Sequence, residues 1–375
     1  MTMTTKPIGL YVHIPFCVRK CNYCDFCSFP IESISFRDKY ISALCREIEG
    51  YRGRNISLNS IFFGGGTPSL LTADEMSRIV SVIQKSFLIL EDTEFTLEAN
   101  PGTIDEEKLS EFVSLGINRL SLGLQSIHEN EMKMLGRIHS FDDFEKVYHS
   151  ARSLGISNIN VDLMYGIPEQ TMESFEATVK KIIELSPEHI SLYGLILEEG
   201  TPFYNKKNSL SLPGEDSECD MYYLAARLLR ENRYSHYEIS NYAKEGRESR
   251  HNMKYWRCDE YIGVGLSAYS YFDGRRYGNT DMVTEYLSES YRGFAYEENV
   301  DNSSLAYEFV MLGLRTADGI SLKEYKEKFG CDFLENRENL IKKLVDDGYA
   351  ILKEGRLFLS EKGFYVSNYI LTELI

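Results

Sequence analysis

The chain has 375 residues, 43% hydrophobic and 26% charged, which suits one large α/β domain with a smaller one. Its net charge of −16, from 41 Lys+Arg and 57 Asp+Glu, disfavours non-specific binding to nucleic acid or anionic membranes. The first residues lack the basic and apolar regions of a signal peptide, and no run of roughly 18 apolar residues is present, so we expect a cytoplasmic protein without a membrane span.

Six short β-rich segments alternate with helix-like segments in the first part of the chain. The β-rich segments are 9–15, 60–66, 94–100, 119–126, 158–166 and 189–196. Between them, apolar residues recur at helical spacing, most clearly over 73–87 and 172–185. This alternation predicts a parallel sheet covered by helices, and six such units favour a partial (β/α)6 TIM-like barrel over an open doubly wound sheet.

Residues suited to chemistry or to close ligand approach stand at or near the ends of these segments. They are glycines 64–66 with Thr67, then Glu98, Gln125, Asp162 and Gly194. In a βα barrel the carboxyl ends of the strands meet at one rim, which carries the active site. One such residue is readily explained as a helix cap, but one after nearly every strand predicts a ligand site at the rim.

The pattern changes at about residue 200. Segment 206–220 predicts a polar connection, 221–232 a helix, and 249–279 an aromatic-rich region with glycines at turns. Segment 303–375 predicts helices and then a hairpin within 348–364, the order of a winged-helix-like α+β module. It has 10 Lys+Arg and 12 Asp+Glu, so we expect packing or partner contact and not DNA reading.

These patterns divide the chain into three predicted regions. Residues 1–205 form the barrel, and residues 206–302 form a barrel extension with the aromatic-rich region. Residues 303–375 form the C-terminal module. No internal repeat or low-complexity segment interrupts this division.

Four of the eight cysteines are crowded near the N-terminus, at Cys17, Cys21, Cys24 and Cys27, and the other four, Cys45, Cys219, Cys258 and Cys331, are scattered like ordinary buried thiols. In a reducing compartment, crowded cysteines indicate a metal site. The first three can hold three irons of a 4Fe-4S cluster and leave the fourth iron open to a small molecule.

Two other metal sites fit parts of the same stretch. Cys21, Cys24 and Cys27 have the spacing that begins a ferredoxin run, but Ile31 stands where the pattern needs its next cysteine. A zinc site needs four ligands, usually in two separated pairs, which fits this spacing less well.

The spacing Cys17-x3-Cys21-x2-Cys24 with Tyr23 before the third cysteine resembles the radical S-adenosylmethionine superfamily. That resemblance implies that the open iron chelates the amino and carboxylate groups of S-adenosylmethionine. Gly65, Gly66 and Thr67 would then let the backbone approach the methionine end of that cofactor. A tight turn alone explains one of these glycines but not the whole run.

Seven motifs together resemble the oxygen-independent coproporphyrinogen III oxidase family, and within it the HemW-type heme-chaperone branch. They are YVHIPFC (11–17), GGGTPSLL (64–71), EANP (98–101), GLQS (123–126), LGRIH (135–139), DLMYGIP (162–168) and HNMKYW (251–256). The resemblance implies that S-adenosylmethionine is contacted by Tyr11, Tyr23, Gly65, Gly66, Thr67, Glu98, Gln125, Arg137 and Asp162. Carboxylates suit its hydroxyls and amino group, and Arg137 suits its carboxylate.

The motif HNMKYW contains the single tryptophan of the chain. The resemblance implies that His251, Asn252, Tyr255 and Trp256 contribute to heme binding, since imidazole ligates heme iron and flat rings cover a porphyrin face. A histidine beside aromatic residues is also often purely structural. Cys258 is a further candidate thiolate ligand, although a packed thiol explains it equally well.

Two departures from the oxidase pattern favour the chaperone branch. Phe26 stands where the oxidases have a fourth cysteine, and only 16 residues precede Cys17. The resemblance therefore implies a protein that binds heme and delivers it to an acceptor protein, with a flavodoxin or ferredoxin as electron donor to the cluster. Cys27 lies outside the Cys17-x3-Cys21-x2-Cys24 motif and one residue beyond the position of the oxidases' fourth cysteine, so we expect the cluster to form without it.

Four alternative functions stay open at this point. They are an oxygen-independent coproporphyrinogen III oxidase, a heme-degrading radical methyltransferase, a ferredoxin-like electron carrier and a winged-helix regulator. The carrier would ignore S-adenosylmethionine, and the regulator would need salt-sensitive DNA binding, which the acidic composition disfavours.

Overall fold

The structure is a computed structural model that describes residues 6–31, 34–288, 291 and 294–375. Its strands are β1 (Ile8–Ile14), β2 (Phe16–Cys17), β3 (Phe29–Pro30), β4 (Ser57–Gly65), β5 (Leu88–Ala99), β6 (Arg119–Gln125), β7 (Ile159–Tyr165), β8 (His189–Gly194), β9 (Ser235–Glu238), β10 (Asn241–Ala243), β11 (Tyr261–Val264), β12 (Tyr269–Phe272), β13 (Arg275–Gly278), β14 (Tyr296–Asn299), β15 (Ile320–Ser321), β16 (Ala350–Lys353) and β17 (Arg356–Leu359). Its helices are α1 (Ile34–Glu49), α2 (Ala73–Ser86), α3 (Glu106–Ser114), α4 (Glu129–Leu135), α5 (Phe141–Ser153), α6 (Met172–Leu185), α7 (Pro202–Asn205), α8 (Glu215–Glu231), α9 (Arg250–Trp256), α10 (Val283–Tyr286), α11 (Asn302–Gly313), α12 (Leu322–Phe329), α13 (Glu338–Asp346), α14 (Glu361–Tyr365) and α15 (Ser367–Leu374).

Twelve strands form one sheet in the order β14-β13-β12-β11-β1-β4-β5-β6-β7-β8-β10-β9. The six predicted strands, β1, β4, β5, β6, β7 and β8, are consecutive neighbours and run parallel. This confirms the predicted parallel α/β architecture. A seventh parallel strand, β11, pairs with β1 and comes from a segment without a predicted strand.

The two predicted helices that cover this sheet are confirmed nearly to the residue. Helix α2 begins after Thr72, whose hydroxyl accepts the backbone N–H of Glu75 while the Glu75 side chain accepts the N–H of Thr72. Its buried face is apolar, with Met76 and Ile79 fully enclosed. Helix α6 has the same reciprocal cap between Thr171 and Ser174. Local capping and an apolar face therefore suffice to fix these elements.

Two predicted boundaries in the second half of the chain are wrong. The polar connection ends at Gly214 and not at residue 220, because Glu215, Asp216 and Glu218 begin helix α8 instead of continuing the loop. Acidic side chains stabilise the N-terminal turn of a helix through the helix dipole, so their charge favours a helix here. The predicted hairpin ends at Leu359, since Ser360 caps α14.

The aromatic-rich region 249–279 forms α9 and three strands. Gly274 is at a turn, as predicted, with φ of 71°. Gly263 and Gly278 instead lie inside strands. A Cβ on Gly263 would lie 2.1 Å from the carbonyl oxygen of Tyr269, so close strand contact explains this glycine better than a turn does.

The C-terminal module has the order α11-β15-α12-α13-β16-β17, which matches the predicted winged-helix-like arrangement. A separate apolar core, which includes Leu314, Phe333 and Leu357, lies inside it. The module joins the sheet through a bridge between Glu238 and Thr316. The three domain boundaries stay a prediction.

Candidate functional site

A cavity of about 410 Å³ lies at the carboxyl ends of the parallel strands, under the loop that follows β1. We call it the rim cavity. Its walls include Cys17, Cys21, Cys24, Tyr23, Gly65, Gly66, Thr67, Glu98, Gln125, Arg137, Asp162 and Gly194. The structure thus brings together the three predicted cluster cysteines and every predicted S-adenosylmethionine contact except Tyr11. The placement of the residues agrees with the rim expected from the strand order.

The loop that carries the cysteines is tied down at both ends and in the middle. Strands β2 and β3 pair with each other, and the N–H of Ile31 donates to the carbonyl of Cys17 at 3.1 Å. Between these ends, the N–H of Asn22 donates to the carbonyl of Leu135 at 2.9 Å, and the carbonyl of Asn22 accepts from Phe203 at 2.9 Å. These hydrogen bonds therefore hold the loop in place as part of the cavity wall.

The three predicted ligand thiols have different neighbours. The sulfur of Cys17 is buried and accepts from Oγ1 of Thr67 at 3.8 Å, and that of Cys21 accepts from Nη1 of Arg137 at 3.6 Å. Burial raises the pKa of the Cys17 and Cys24 thiols, whereas the nearby Lys20 ammonium lowers both. The positive charge of Lys20 and Arg137 is what an anionic set of thiolates needs.

Three thiols on one cavity wall, with two cations beside them, have the donor chemistry of a 4Fe-4S cluster with one open iron. Within the described ranges, no three His, Cys, Asp or Glu side chains are gathered closely enough to hold a single metal ion. Cys27 lies outside the rim cavity, against Ser267 and Ala268, in the second cavity described below.

The glycines of the GGGT segment are explained first by close packing. A Cβ on Gly66 would lie 2.6 Å from the carbonyl oxygen of Phe16 and 3.0 Å from the sulfur of Cys17. Gly65 has φ of 112°, and a Cβ there would lie 2.6 Å from the ring of His13. These glycines let the cysteine loop lie directly on β4, in addition to any approach to a ligand.

Two carboxyl groups of the rim cavity, those of Glu98 and Asp162, are close enough to act on each other. Burial and the neighbouring Asp162 raise the pKa of Glu98 to about 8, although the N–H of Gly65 donates to its Oε2 at 3.2 Å. Burial also raises the pKa of Asp162, against hydrogen bonds from Asn160 and Ser191. Such raised pKa values mark the carboxyls as ready to ionise when a cationic ligand enters.

Arg137 connects the cavity wall to the cysteine loop. Its Nη2 donates to the Oδ1 of Asn100 and to the carbonyl of Gly123, while its Nε has no hydrogen-bond partner among the described residues. Asn100 in turn donates to Oγ1 of Thr67 at 2.9 Å. Asn100 is not among the site residues predicted from the sequence, although it belongs to the EANP motif, two residues after Glu98 and directly after β5.

Gln125 ends strand β6 in a strained conformation. Its φ is 75°, and the pairing of β6 with β7 shifts register between Gly123 and Gln125. A left-handed conformation is unfavourable for a residue with a side chain, and such strain is concentrated at functional sites. The bulge directs the amide of Gln125 into the cavity wall.

A second cavity of about 490 Å³ adjoins the rim cavity, and we call it the aromatic cavity. Tyr11, His13, Phe26, Cys27, Phe62, His251, Asn252, Tyr255, Tyr261 and Tyr269 are among its lining residues. Phe26, Phe62, Gly65, Glu98 and Asn252 line both cavities. The structure places Tyr11 here, so this predicted S-adenosylmethionine contact lies on the far side of the shared wall.

Both ring nitrogens of His251 are engaged. Nδ1 lies 3.0 Å from Oγ of Ser60, and Nε2 lies 2.8 Å from the hydroxyl of Tyr255. The side chain is fully buried, and burial lowers its pKa to about 3. An iron ligand at this position would have to break one of the two hydrogen bonds.

Only some of the other predicted heme contacts line the aromatic cavity. Asn252 and Tyr255 line the aromatic cavity. Trp256 packs instead against the small cluster of Tyr237, Ala243 and Met253. Cys258, on the turn after α9, lines neither cavity, and burial raises the pKa of its thiol to about 11.

Comparison with known proteins now defines the family. A profile described as the radical SAM superfamily matches residues 11–182, and one described as the HemN C-terminal domain matches residues 300–366. The chain is 35% identical to the heme chaperone HemW of Lactococcus lactis subsp. lactis (strain IL1403) over 380 residues, which covers 100% of this chain and 98% of that protein. It is also 35% identical to the heme chaperone HemW of Bacillus subtilis (strain 168), over 96% of each protein. The chain belongs to the HemW family.

A solved structure described as coproporphyrinogen III oxidase (HemN) from Escherichia coli, a radical SAM enzyme, superposes with a TM-score of 0.87. The match covers 98% of this chain and 90% of that one at 22% identity, so it shows a shared fold. The fold predicted for this HemW-family chain is thereby confirmed over both the barrel and the C-terminal module. In the described residues, every helix is too short or too polar to cross a membrane.

Several wall residues of this HemW-family chain escaped the sequence analysis. They include Arg119, Ser121, Asn160, His189, Ser191 and Tyr193, all of which line the rim cavity. Alternation along β6, β7 and β8 marks some of them as facing the barrel interior. Their polarity was the available indication, because a purely structural barrel interior is filled by branched apolar side chains.

Proposed function

We propose that this protein is a heme chaperone of the radical SAM superfamily. It binds a 4Fe-4S cluster through Cys17, Cys21 and Cys24, S-adenosylmethionine in the rim cavity and heme in the adjoining aromatic cavity. It then passes the heme to an acceptor protein. The names of the relatives that match along the full chain support this assignment, as do the cysteines at the rim.

The observation that carries the proposal is the pair of cavities with a shared wall. The rim cavity has carboxyls, a guanidinium and thiols, which suit a zwitterionic sulfonium cofactor. The aromatic cavity is lined largely by tyrosine and phenylalanine rings, which suit the face of a flat macrocycle. Because Phe62, Glu98 and Asn252 line both, each ligand is positioned to sense the other.

Within the rim cavity, each side chain has a role that follows from its chemistry. The guanidinium of Arg137 holds the cofactor carboxylate, and its contact with Cys21 keeps that carboxylate next to the cluster loop. Glu98 and Asp162 hold the amino group and the ribose hydroxyls. When bound, the reduced cluster and S-adenosylmethionine supply one-electron chemistry. Flavodoxin or ferredoxin is the proposed electron donor.

The choice of chaperone over oxidase is supported by Phe26. This residue stands where the oxidases carry a further cysteine, and it is 64% exposed and lines both cavities. A ring at this position offers an apolar contact to a macrocycle and no thiol for chemistry. We place the protein in the cytoplasm, with no nucleic-acid partner, because the chain is acidic and its cysteines are free.

An anaerobic assay tests the proposal. Protein with a reconstituted cluster is incubated with coproporphyrinogen III, S-adenosylmethionine and a reductant, and a parallel sample is titrated with heme. We expect stoichiometric heme binding, no protoporphyrinogen IX and no methylated or opened heme products. Protoporphyrinogen IX would identify an oxidase, and opened heme a methyltransferase. Transfer is then followed by the change in heme absorbance when an apo-hemoprotein is added.

A further inference from the structure

The rim cavity contains a fully buried guanidinium besides that of Arg137. Arg119 is the first residue of β6, and Gln125, at the rim, is the last. Because a strand rises about 3.3 Å per residue, the two ends of β6 are roughly 20 Å apart. Both residues line the same cavity, so it extends from the cysteine loop down into the barrel, where the charge of Arg119 still acts on Glu98 and Asp162.

The guanidinium of Arg119 is almost without partners. Arg119 is 2% exposed and is among the largest fully buried side chains. Its one described hydrogen bond is long, from Nη1 to Oγ1 of Thr96 at 3.5 Å, and its Nε has no partner. Within the described part of the chain, no carboxylate forms an ion pair with it. A buried, permanently charged group normally has an anion beside it.

The neighbours of Arg119 supply that anion only in part. Glu98 and Asp162 are close enough for the Arg119 charge to lower the pKa of each, but burial raises both pKa values, and within the described residues neither carboxyl forms an ion pair with Arg119. Nδ1 of His189 donates to Oδ1 of Asn160 at 2.6 Å, and Nε2 of His189 lies 2.7 Å from the hydroxyl of Tyr237. Asn160 is itself engaged by Ser121 at 2.8 Å and by Asp162 at 2.8 Å. These groups satisfy one another, so Arg119 is left as the free donor of this end of the cavity.

The charged groups of the rim cavity and of S-adenosylmethionine indicate which kind of ligand Arg119 binds. S-adenosylmethionine carries one carboxylate, and Arg137 beside the cysteine loop is placed to hold it. The cavity has two further guanidinium groups, and that of Arg19 belongs to an exposed residue, whereas that of Arg119 is buried. A second ligand that reaches Arg119 therefore has to bring a second carboxylate. A planar guanidinium is well shaped to bind a carboxylate with two parallel hydrogen bonds.

We propose that Arg119 forms a carboxylate-binding subsite at the end of the rim cavity opposite the cysteine loop, and that it receives a propionate arm of a tetrapyrrole. This rests on the proposed function, which supplies the tetrapyrrole as ligand. The shared wall of Phe62 and Asn252 is the place where such an arm passes from the aromatic cavity into the rim cavity. Arg119 thereby selects for tetrapyrroles with free acid arms.

The test compares two heme analogues that differ only in charge. Iron mesoporphyrin IX has ionised propionates, and its dimethyl ester does not. Each is titrated, in the same detergent, into full-length protein with its cluster and saturating S-adenosylmethionine, and the Soret absorbance is followed. We expect the wild-type protein to bind the diacid at least about tenfold more tightly than the diester.

The variants assign this preference to Arg119. Arg119→Gln is expected to bind both analogues with affinities within about threefold of each other. Arg37→Gln is the matched control, since Arg37 is half-buried and ion-paired with Glu75 away from both cavities, and it is expected to keep the full preference. Arg119→Lys keeps the positive charge but lacks the planar guanidinium, so it is expected to retain part of the preference for the diacid.

Each remaining outcome is decisive. A wild-type protein that binds the two analogues equally overturns the subsite, even if Arg119→Gln does not fold. The subsite is also overturned when Arg119→Gln keeps the preference, or when it weakens both analogues by the same factor, which is the result of a packing role. Wild-type protein that binds neither analogue contradicts the proposed function instead.

Discussion

Nη1 of Arg137 lies 3.6 Å from the sulfur of Cys21, although the two residues are 116 positions apart in the chain. The same guanidinium donates through Nη2 to Asn100 and to the carbonyl of Gly123, at the ends of β5 and β6. One side chain therefore links two strand ends to the cysteine loop. The position of the cluster and the position of the cofactor carboxylate are coupled through it.

Arg137→Gln is expected to weaken S-adenosylmethionine binding by about ten- to a hundredfold, because it removes a charge-assisted pair of hydrogen bonds. The iron content should stay unchanged, since the three cysteines remain. Isothermal titration of the reconstituted protein measures the affinity. Arg152→Gln is the control, because Arg152 is also half-buried and ion-paired, with Glu188, on the outside of the barrel. Equal affinities in the two variants would contradict the role.

Three of the four N-terminal cysteines are expected to be required for the cluster, and the fourth is not. Ala at Cys17, Cys21 or Cys24 should abolish the cluster, since each of these thiols lines the rim cavity. Cys27→Ala should keep it, because Cys27 lies in the aromatic cavity. Iron and acid-labile sulfide after anaerobic reconstitution measure the outcome. Loss of iron in Cys27→Ala would indicate a closed four-cysteine site and would remove the basis for cofactor binding at an open iron.

Glu98 is expected to make S-adenosylmethionine binding depend on pH. Its pKa in the free protein is raised by burial to about 8, so the carboxyl is mostly protonated at neutral pH. A cationic ligand favours the ionised form, so binding releases a proton and the affinity rises with pH until about pH 8. Between pH 6 and 8 the gain is at most tenfold per pH unit.

Glu98→Gln isolates this effect. The amide resembles the neutral carboxyl, so the variant should bind nearly as well as wild type at pH 6 and clearly more weakly at pH 8.5. Taking the ratio of the two affinities at each pH removes the titration of the ligand itself. A ratio that is constant from pH 6 to 8.5 would show that Glu98 does not ionise on binding.

The residues at the rim could be predicted because each strand is recognisable from its own short stretch of sequence. Apolar continuity marks each parallel strand, and parallel strands bring residues such as Glu98 and Asp162 to the same region wherever the helices between them lie. The capped helices α2 and α6 were equally readable from their own residues. Local patterns, read with the geometry of a βα barrel, therefore gave the six-strand order and most of the cavity wall.

Residues whose role depends on distant partners could not be found in this way. His251 meets Ser60 across 191 positions, so HNMKYW can indicate the contact with Tyr255 but not that both ring nitrogens are engaged. Arg119 is at the start of a strand, opposite the end where a barrel site is expected. Strand β11 pairs with β1 although the two strands are far apart in the sequence, with Gly9 opposite Tyr261. Its short, tyrosine- and glycine-containing segment has no strong strand pattern of its own.

His251→Ala is expected to destabilise the protein by about 2–4 kcal/mol, since it removes two buried hydrogen bonds and leaves a cavity beside Phe62. Tyr255→Phe removes one hydroxyl and should cost about 1 kcal/mol. Urea unfolding followed by circular dichroism measures both. If His251→Ala keeps wild-type stability but changes the heme absorption spectrum, the imidazole is an iron ligand and its hydrogen bonds are incidental.

Glu47 is expected to make the stability of the barrel extension fall as pH rises. Its carboxylate accepts from the N–H of Gly265 at 2.9 Å, the hydroxyl of Tyr286 at 2.6 Å and the amide of Asn279 at 2.7 Å. Burial nevertheless raises its pKa from 4.5 to about 7. The folded protein thus holds a proton that the unfolded chain has released between these values, and folding is favoured below pH 4.5 and progressively less up to pH 7.

Glu47→Gln should flatten this dependence. From the size of the shift, wild type loses on the order of 3 kcal/mol from this group between pH 4.5 and 8, and the neutral amide loses none. Urea midpoints at pH 5, 6, 7 and 8 give the slopes, and the difference between the slopes of wild type and variant cancels the contribution of other carboxyls with raised pKa values, such as Glu98, Asp162 and Glu238. Glu49→Gln, exposed on the same helix, should keep the wild-type slope. Parallel slopes for wild type and Glu47→Gln would mean that Glu47 is ionised throughout this range and that its three hydrogen bonds outweigh its burial.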